Sequence, residues 1–211
     1  MELSPAAVRV ACSLVEKALS TPQSYPLSLN ALRTACNQAT NREPVTEYDD
    51  TEIQAALDEL RAHPLVKSVY ARGSRVPKHA HLLDEHLDLD EAQTAVLAVL
   101  GLRGPQTVGE LRLRTERMHA FADLEDVQHS LEGLAQHPFG ALAVELPRQP
   151  GQSQVRWAHL LSGEPDLTTL AAPTGVRPTA AGAEVDALRA EVDRLRAELE
   201  ALRSRLDAAG L

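Results

Sequence analysis

Three histidines stand close together in a pattern that could bind a metal ion. His79 and His81 are two positions apart, and His86 follows shortly after. Side chains two apart on a β-strand share a face, and imidazole is a common zinc ligand, so this spacing could begin a metal site. The chain contains a second copy of the surrounding pattern, described below, in which Trp157 takes the place of His79. Because tryptophan does not bind metals, we expect structural histidines and no metal site.

Other catalytic signatures are missing from the sequence. It contains no P-loop, no GxGxxG, GxSxG or HExxH motif and no CxxC pair. Its carboxylates lie on predicted helix surfaces, where a solvated acidic face is the simpler interpretation. Cys12 and Cys36 fall on apolar helical stripes, so we expect buried free thiols in a reducing cytosol. We therefore predict a protein that is not an enzyme and needs no cofactor.

Clusters of basic residues indicate another chemistry, the binding of phosphate. The net charge of −9 excludes a basic surface over the whole protein, and one Trp, three Tyr and two Phe are too few for a binder that stacks bases. No acidic residue occurs between Glu59 and Asp84 or between Glu145 and Glu164, however. We predict nucleic-acid phosphate contacts from basic residues of these segments and of a nearby helix: Lys67, Arg72, Arg75, Lys78, Arg112, Arg114, Arg148 and Arg156.

The elements that position these residues are organised as a repeat. LDELRAHP at 57–64 returns as LEGLAQHP at 131–138, KHAHLL at 78–83 as RWAHLL at 156–161, and PLSLNALR at 26–33 as PQTVGELR at 105–112. Since the matches keep their order, we predict two copies of one domain at residues 1–84 and 88–162. The alternative is a single all-helical domain with accidental similarity, which three collinear matches disfavour.

The sequence pattern of each copy predicts three helices followed by a β-hairpin. In the first copy, Ser4-Pro5, Ser28 and Asp49 start the helices, Val8, Cys12, Val15 and Leu19 form the inner face of the first helix, and residues 65–71 and 76–82 form the hairpin. In the second copy the helices begin at Asp90, at the capping box of Thr107 and Glu110, and near Leu124, and the hairpin spans 142–146 and 154–160. This is the winged-helix order, so the predicted class is mainly α with small β-hairpin wings (α+β).

A different pattern follows the repeat. Residues 163–183 are rich in Pro, Gly, Ala and Thr and predict a flexible linker. Residues 184–208 predict a coiled-coil dimerisation helix with a heptad core of Val185, Leu188, Val192, Leu195, Leu199, Leu202 and Leu206. Glu at the g positions and Arg at the e positions match only in a parallel pair, so we expect a homodimer. The alternative is a single amphipathic helix folded back on its own domain.

The third helix of each copy argues against reading of the DNA major groove. In helix-turn-helix proteins this helix enters the groove. Here it carries many acids, and only Gln54 and Gln128 are good candidates for base contacts. The acids are Asp49, Asp50, Glu52, Asp58 and Glu59 in the first copy and Asp123, Glu125, Asp126 and Glu132 in the second.

Three long strings carry a family resemblance. They are TPQSYPLSLNAL at 21–32 with ACNQ at 35–38 and NREPV at 41–45, LRGPQT at 102–107 with GELR at 109–112, and LPRQPGQ at 146–152. In these strings the sequence resembles the YceH-like family of uncharacterised bacterial proteins, over about residues 1–162. The resemblance implies tandem winged-helix domains and no reaction, and DNA binding is inferred for that family from its fold.

One group of polar residues near the second helix does not fit the hydrophobic core. It consists of Asn30, Asn37, Gln38, Asn41 and Arg42. We favour a role in bracing the loop between the second and third helices, and the alternative is a contact surface.

The longest apolar run, residues 95–102, is too short to span a membrane, and we expect a soluble cytoplasmic protein. The leading hypothesis is a dimeric tandem winged-helix protein that binds duplex DNA, and the alternative is a protein-interaction adaptor that does not bind DNA.

Overall fold

The computed structural model describes residues 2–70, 76–149 and 152–165, which belong to one compact unit, Met1–Pro165. The predicted coiled coil at 184–208, most of the predicted linker, and Arg72 and Arg75 lie outside the described residues. The described part is of the α+β class, with seven α-helices and two small antiparallel sheets, which confirms the predicted class.

The first half of the unit contains four helices and three strands. They are α1 (Pro5–Ser20), β1 (Leu27–Ser28), α2 (Leu29–Cys36), α3 (Asp50–Ala62), β2 (Val66–Val69), β3 (Lys78–His81) and α4 (Leu83–Leu87), with a 3₁₀ turn at Pro22–Ser24. The Ser4 and Ser28 hydroxyls cap α1 and α2, and Asp49 and Glu52 form a capping box at α3. The predicted helix starts are therefore confirmed.

The described residues of the second half repeat the three helices and the final strand pair of the first half in the same order, without counterparts of β1 and α4. The repeated elements are α5 (Glu91–Arg103), α6 (Val108–Thr115), α7 (Leu124–Ala135), β4 (Ala143–Leu146) and β5 (Arg156–His159). Asp90 caps α5 and Asp123 caps α7, while Thr107 and Glu110 form the predicted capping box at α6. Three helices followed by an antiparallel strand pair thus occur twice in the described chain.

The two sheets differ by one short strand. In the first, β1 and β2 both pair antiparallel with β3, so the strand order is β1-β3-β2, and Leu27 lies opposite His79. In the second, β4 pairs with β5, and a single bridge from Gln106 to Trp157 stands where β1 stands in the first half. Sequence analysis did not predict β1 or α4, because elements of two and five residues are too short to show a periodic pattern.

The core is continuous through both halves because α1 packs against α5 as well as against α3. For this reason α1 is buried all round from Ala7 to Val15, and not only along the predicted face. Leu19, predicted on that face, is only partly buried. The packing of α1 against α5 leaves no room for a side chain at Gly101, where an added Cβ would lie 2.4 Å from Cys12 Sγ.

Candidate nucleic-acid interface

The first wing consists of β2, β3 and the segment between them, and it carries the predicted phosphate ligands Lys67 and Lys78. In the antiparallel register Lys67 lies opposite Ala80, and Lys78 lies opposite Val69. Directly opposed residues share a face of a sheet, so both lysines project from one side, and both are exposed. The other side carries Val66 and His79, which are buried.

Neither described lysine of the first wing is held by a buried partner. Lys67 Nζ lies 3.4 Å from Glu85 Oε1, and both side chains are about half exposed or more, at 49% and 68%. Such an exposed pair stabilises the protein by less than about 1 kcal/mol, so it can be exchanged for another anion. Tyr70 and Val76, the residues on either side of 71–75, are also exposed. The first wing therefore presents positive charge flanked by apolar side chains.

The second wing, formed by β4, β5 and the segment between them, presents less free charge. Arg148 is exposed just after β4. Arg156 is half-buried, donates from Nη1 to the Pro105 carbonyl at 2.8 Å, and lies 3.1 Å from Glu110 Oε2. Arg156 is thus part of the connection between β5 and the start of α6, which the sequence did not indicate.

Helix α6 supplies the remaining predicted ligands. Arg112 is exposed and donates to the Ala122 carbonyl at 2.9 Å. Arg114 Nη2 lies 3.4 Å from Glu110 Oε1, so Glu110 holds both Arg114 and Arg156. The carboxylate of Glu110 also accepts a hydrogen bond from the Thr107 amide at 2.9 Å. One acid thereby offsets two of the predicted phosphate ligands.

On the third helices, α3 and α7, all of the acids except Glu59 are exposed, and half-buried Glu59 accepts hydrogen bonds from the Ser4 amide and hydroxyl at 2.7 and 2.5 Å. Asp58 and Glu132 occupy equivalent exposed positions. The amide of Gln54 donates to Asp58 at 3.1 Å, and the amide of Gln128 donates to Glu132 at 2.9 Å. Both candidate base-reading residues are therefore paired with a carboxylate one turn further along their own helix.

Two residues of the unexplained polar string brace the loop between α2 and α3. The side-chain oxygen of Asn37 accepts from the Tyr48 amide at 2.9 Å, and its amide group donates to the Tyr48 carbonyl at 2.8 Å. The guanidinium of Arg42 is buried, donates twice to the Ala35 carbonyl, and contacts both Glu16 carboxylate oxygens at 3.1 and 2.6 Å. The favoured interpretation, a structural brace, is confirmed for these two residues.

A second buried cation completes the brace. Arg9 of α1 donates to the carbonyls of Cys36 and Pro44 at 3.1 and 2.7 Å and to the Thr46 hydroxyl at 3.3 Å. Burial, and then the neighbouring Arg42, lower the pKa of Arg9. Sequence analysis missed this residue, because an arginine on an otherwise apolar helix face looks like a break in the stripe.

The predicted buried thiols are found, and His79 is buried, whereas His81 is half-buried and His86 is exposed. Burial lowers the pKa of His79 and His81 and raises the pKa of Cys12 to about 12 and of Cys36 to about 11. Both cysteines are free. Within residues 2–70, 76–149 and 152–165, no three His, Cys, Asp or Glu residues are grouped so that they could hold a metal ion. No helix in this same part of the chain is long and apolar enough to cross a membrane.

Lys17 and Arg103 are candidate site residues that sequence analysis missed. They line a cavity of about 450 Å³ together with Arg114, Arg117 and the polar-string residues Gln38 and Asn41. Lys17 and Arg103 each stand in the last turn of a helix, where basic residues are common because they offset the helix dipole. No signal in the sequence therefore separates these two from ordinary helix-end residues.

Comparison with known proteins identifies the family. A model described as "Protein of unknown function, DUF480" matches residues 3–152. A UPF0502 protein of Geobacter sulfurreducens is 49% identical over 179 residues, which are 83% of this chain and 80% of that protein. A UPF0502 protein of Dechloromonas aromatica is 48% identical over 187 residues, which are 89% of this chain and 86% of that protein. A UPF0502 protein of Geotalea daltonii is 52% identical over 172 residues, which are 81% of this chain and 78% of that protein. The chain therefore belongs to the DUF480 family of uncharacterised bacterial proteins, consistent with the resemblance to YceH-like proteins.

Proposed function

We propose that this chain is a dimeric tandem winged-helix protein that binds duplex DNA through backbone phosphates. The observation that carries the proposal is the exposed face of the first wing, where Lys67 and Lys78 project from adjacent strands. No acidic residue lies between Glu59 and Asp84, so this wing is positive within a chain of net charge −9. Lysine and arginine contacts to phosphate supply affinity without reading sequence.

Equivalent pairings support the assignment of two winged-helix copies. Leu27 lies opposite His79 in the first half, and Gln106 lies opposite Trp157 in the second. In the repeated strings, Gln106 matches Leu27 and Trp157 matches His79. In each half, the segment just before the second helix thus meets the last strand of the wing at the same repeat position. Accidental similarity would not be expected to preserve such a pairing.

The third helices favour contact through the wings over insertion into the major groove. Acids on the exposed surfaces of α3 and α7 would face the phosphates that border the groove. A base contact from Gln54 or Gln128 would also require its hydrogen bond to Asp58 or Glu132 to break. We therefore expect binding that depends strongly on salt and weakly on DNA sequence.

Fluorescence anisotropy with random duplexes of about 20 base pairs, at about 50 and 200 mM salt, tests the proposal. The affinity should fall steeply between the two salt concentrations. Removing two wing charges with Lys67→Gln and Lys78→Gln should weaken binding to every duplex and reduce the salt slope by about two. Arg33→Gln, which removes an exposed charge from α2, is the control and should have little effect. Absence of duplex binding at the lower salt, or wild-type binding by the wing variant, would refute the proposal.

The dimer of this proposal comes from the heptads at 184–208, and its test is separate. The full chain should be dimeric in light scattering at tens of micromolar. Leu195→Glu places a charge at a core heptad position and should give monomers, whereas Arg194→Glu changes a position outside the core and should not. A wild-type monomer would overturn the dimer without affecting the proposed wing contacts.

A second candidate function is an adaptor that binds a basic protein. The observation in its favour is the exposed acidic surface of α3 and α7, with Phe139 77% exposed beyond the end of α7. This function predicts a stoichiometric partner that survives nuclease treatment and is lost in Asp58→Asn with Glu132→Gln. A complex that disappears with nuclease would favour the DNA-binding proposal instead.

A further inference from the structure

A cavity lies where the last turns of α1, α5 and α6 meet the loop between α2 and α3. Its volume is about 450 Å³, within the range of about 300–1,000 Å³ typical of small-molecule sites. Four elements that are distant in sequence contribute to its wall. Its charged lining consists of Lys17, Arg103, Arg114 and Arg117 together with Glu16 and Glu116.

The charges around this cavity are predominantly positive. Four cationic side chains line it, against the two carboxylates of Glu16 and Glu116. Glu16 is already neutralised, because Arg42 contacts both of its oxygens and Lys17 Nζ lies 3.1 Å away. These contacts hold the pKa of Glu16 below its usual value despite its burial. A positively charged cavity remains in a protein whose net charge is −9.

Arg103 lines this cavity without forming an ion pair in the described part of the chain, unlike Lys17 and Arg114. Its guanidinium donates to the side-chain oxygen of Asn41, which is a neutral acceptor. Burial lowers the pKa of Arg103, and the nearby guanidiniums of Arg114 and Arg42 lower it further. Crowding of half-buried cations is unfavourable unless an anion offsets it.

Capping of the helix ends does not account for these cations. The last-turn carbonyls already have local donors. The Ser20 and Thr21 hydroxyls donate to the Glu16 and Lys17 carbonyls at 2.6 and 3.2 Å. The Gly104 amide donates to Leu100 at 2.9 Å, and the His119 amide donates to Thr115 at 2.8 Å. Arg103 and Arg117 are therefore available to a ligand, whereas Lys17 pairs with Glu16 and Arg114 pairs with Glu110.

We propose that this cavity binds a small organic phosphate. Arg103 of α5 and Arg117, which follows α6, both line it, and a phosphate monoester presents three terminal oxygens to such donors where a carboxylate presents two. Gln38 and Asn41 offer amide groups to a polar middle portion of the ligand. Leu113, which is exposed, and Met118, which is half-buried, offer an apolar surface to its remainder. A nucleoside monophosphate has this distribution of charge, polarity and apolar area.

Calorimetric titration of the full-length protein with adenosine monophosphate, inorganic phosphate, adenosine and succinate tests the inference. The monophosphate should bind at one site per chain, and adenosine at least about tenfold more weakly. Inorganic phosphate should bind weakly at the same site and compete. Succinate should not bind measurably.

Two variants locate the binding site. Arg103→Gln and Arg117→Gln should each weaken the monophosphate about tenfold or more, whereas Arg33→Gln on α2 should leave it unchanged. Arg117 is exposed, so its substitution keeps the test valid should Arg103→Gln unfold the protein. The inference is overturned by the absence of saturable binding up to about 10 mM monophosphate, by equal affinity for adenosine or succinate, or by wild-type binding in Arg117→Gln. Loss of duplex DNA affinity in Arg117→Gln without monophosphate binding would assign the cavity to DNA phosphates and also overturn it.

Discussion

The two halves of the unit share their helices and strands but differ in the loop between the second and third helices. In the first half this loop spans 37–49, and in the second it spans the shorter 116–123. Only the first loop is braced by buried guanidiniums, those of Arg9 and Arg42. It also reaches the other half, since the Glu43 amide donates to the Leu102 carbonyl at 2.8 Å. This loop therefore adds a hydrogen bond between the halves to the packing of α1 against α5.

Removing the buried cation of the first loop is the strongest way to test this difference. Arg42→Met leaves Glu16 with Lys17 alone and the Ala35 carbonyl without its donor. Breaking a buried ion pair by removing one partner typically costs about 3–5 kcal/mol. Urea denaturation should show a decrease of this size in the free energy of unfolding of Arg42→Met. Arg33→Met breaks the exposed pair with Asp50 and should cost less than about 1 kcal/mol. Equal losses in the two variants would show that the brace is dispensable.

The histidines that end β3 and β5 test the difference between the two sheets through pH. Burial lowers the pKa of His159 to about 4, whereas Asp84 Oδ1 lies 3.2 Å from His81 Nδ1 and opposes the lowering there. The unfolded chain takes up a proton near pH 6.5, but the folded one does so only near pH 4. Stability is therefore full above pH 6.5 and falls as the pH decreases towards 4, by at most about 3 kcal/mol for His159.

Urea denaturation at pH 7 and pH 5 measures this effect. His159→Gln should remove more of the difference between the two pH values than His81→Gln does, because only His81 has a carboxylate beside it. His79 also contributes, since burial and Arg61 lower its pKa, and it is unchanged in both variants. An equal flattening in the two variants would contradict the assigned cause.

Substituting one glycine in α5 and one in α6 compares a position at the contact between the halves with a position on an open surface. Gly101→Ala would place a Cβ 2.4 Å from Cys12 Sγ and 3.1 Å from Val8 Cγ1. Overpacking costs about 1–3 kcal/mol, and the better helix propensity of alanine returns up to about 1, so we expect a net loss of about 1–2 kcal/mol. Gly109→Ala meets no atom within 4 Å and should not destabilise the protein. Adding Cys12→Ala to Gly101→Ala should cost less than the sum of the single changes, and strict additivity would contradict the contact.

Local signals made most of the fold predictable. Ser4-Pro5, Ser28, Asp49, Asp90 and Thr107 start helices because capping depends only on the first turn of the helix itself. The wings were predicted because their strands are β-branched or alternating. The phosphate ligands were predicted by charge alone, and the structure then separates exposed Lys67 from Arg156, which Glu110 holds.

Long-range partners were not predictable from the same signals. The pairing of α1 with α5 leaves no local mark, since an apolar face does not specify which face it meets. The positions of Lys17 and Arg103 in the cavity were not predictable either, because both residues fit the ordinary preference for basic residues at helix ends. Arg42 was noticed only as an unexplained polar residue, and its role follows from Glu16, which is distant in sequence.

The smallest stability effects are expected from neutralising the acids that pair with basic residues in or near the two wings, Glu110 in the second half and Glu85 in the first. Glu110→Gln removes the ion pairs with Arg114 and Arg156 and should cost about 1 kcal/mol in unfolding free energy, because all three side chains are about one-third exposed. Glu85→Gln releases only Lys67, at 68% and 49% exposure, and should change stability by less than about 0.5 kcal/mol. Both remove one negative charge, so their general electrostatic effect on DNA affinity is matched. Since only Glu110 restrains two arginines, its variant should gain more affinity for duplex DNA, and an equal gain would mean that Arg114 and Arg156 do not contact phosphate.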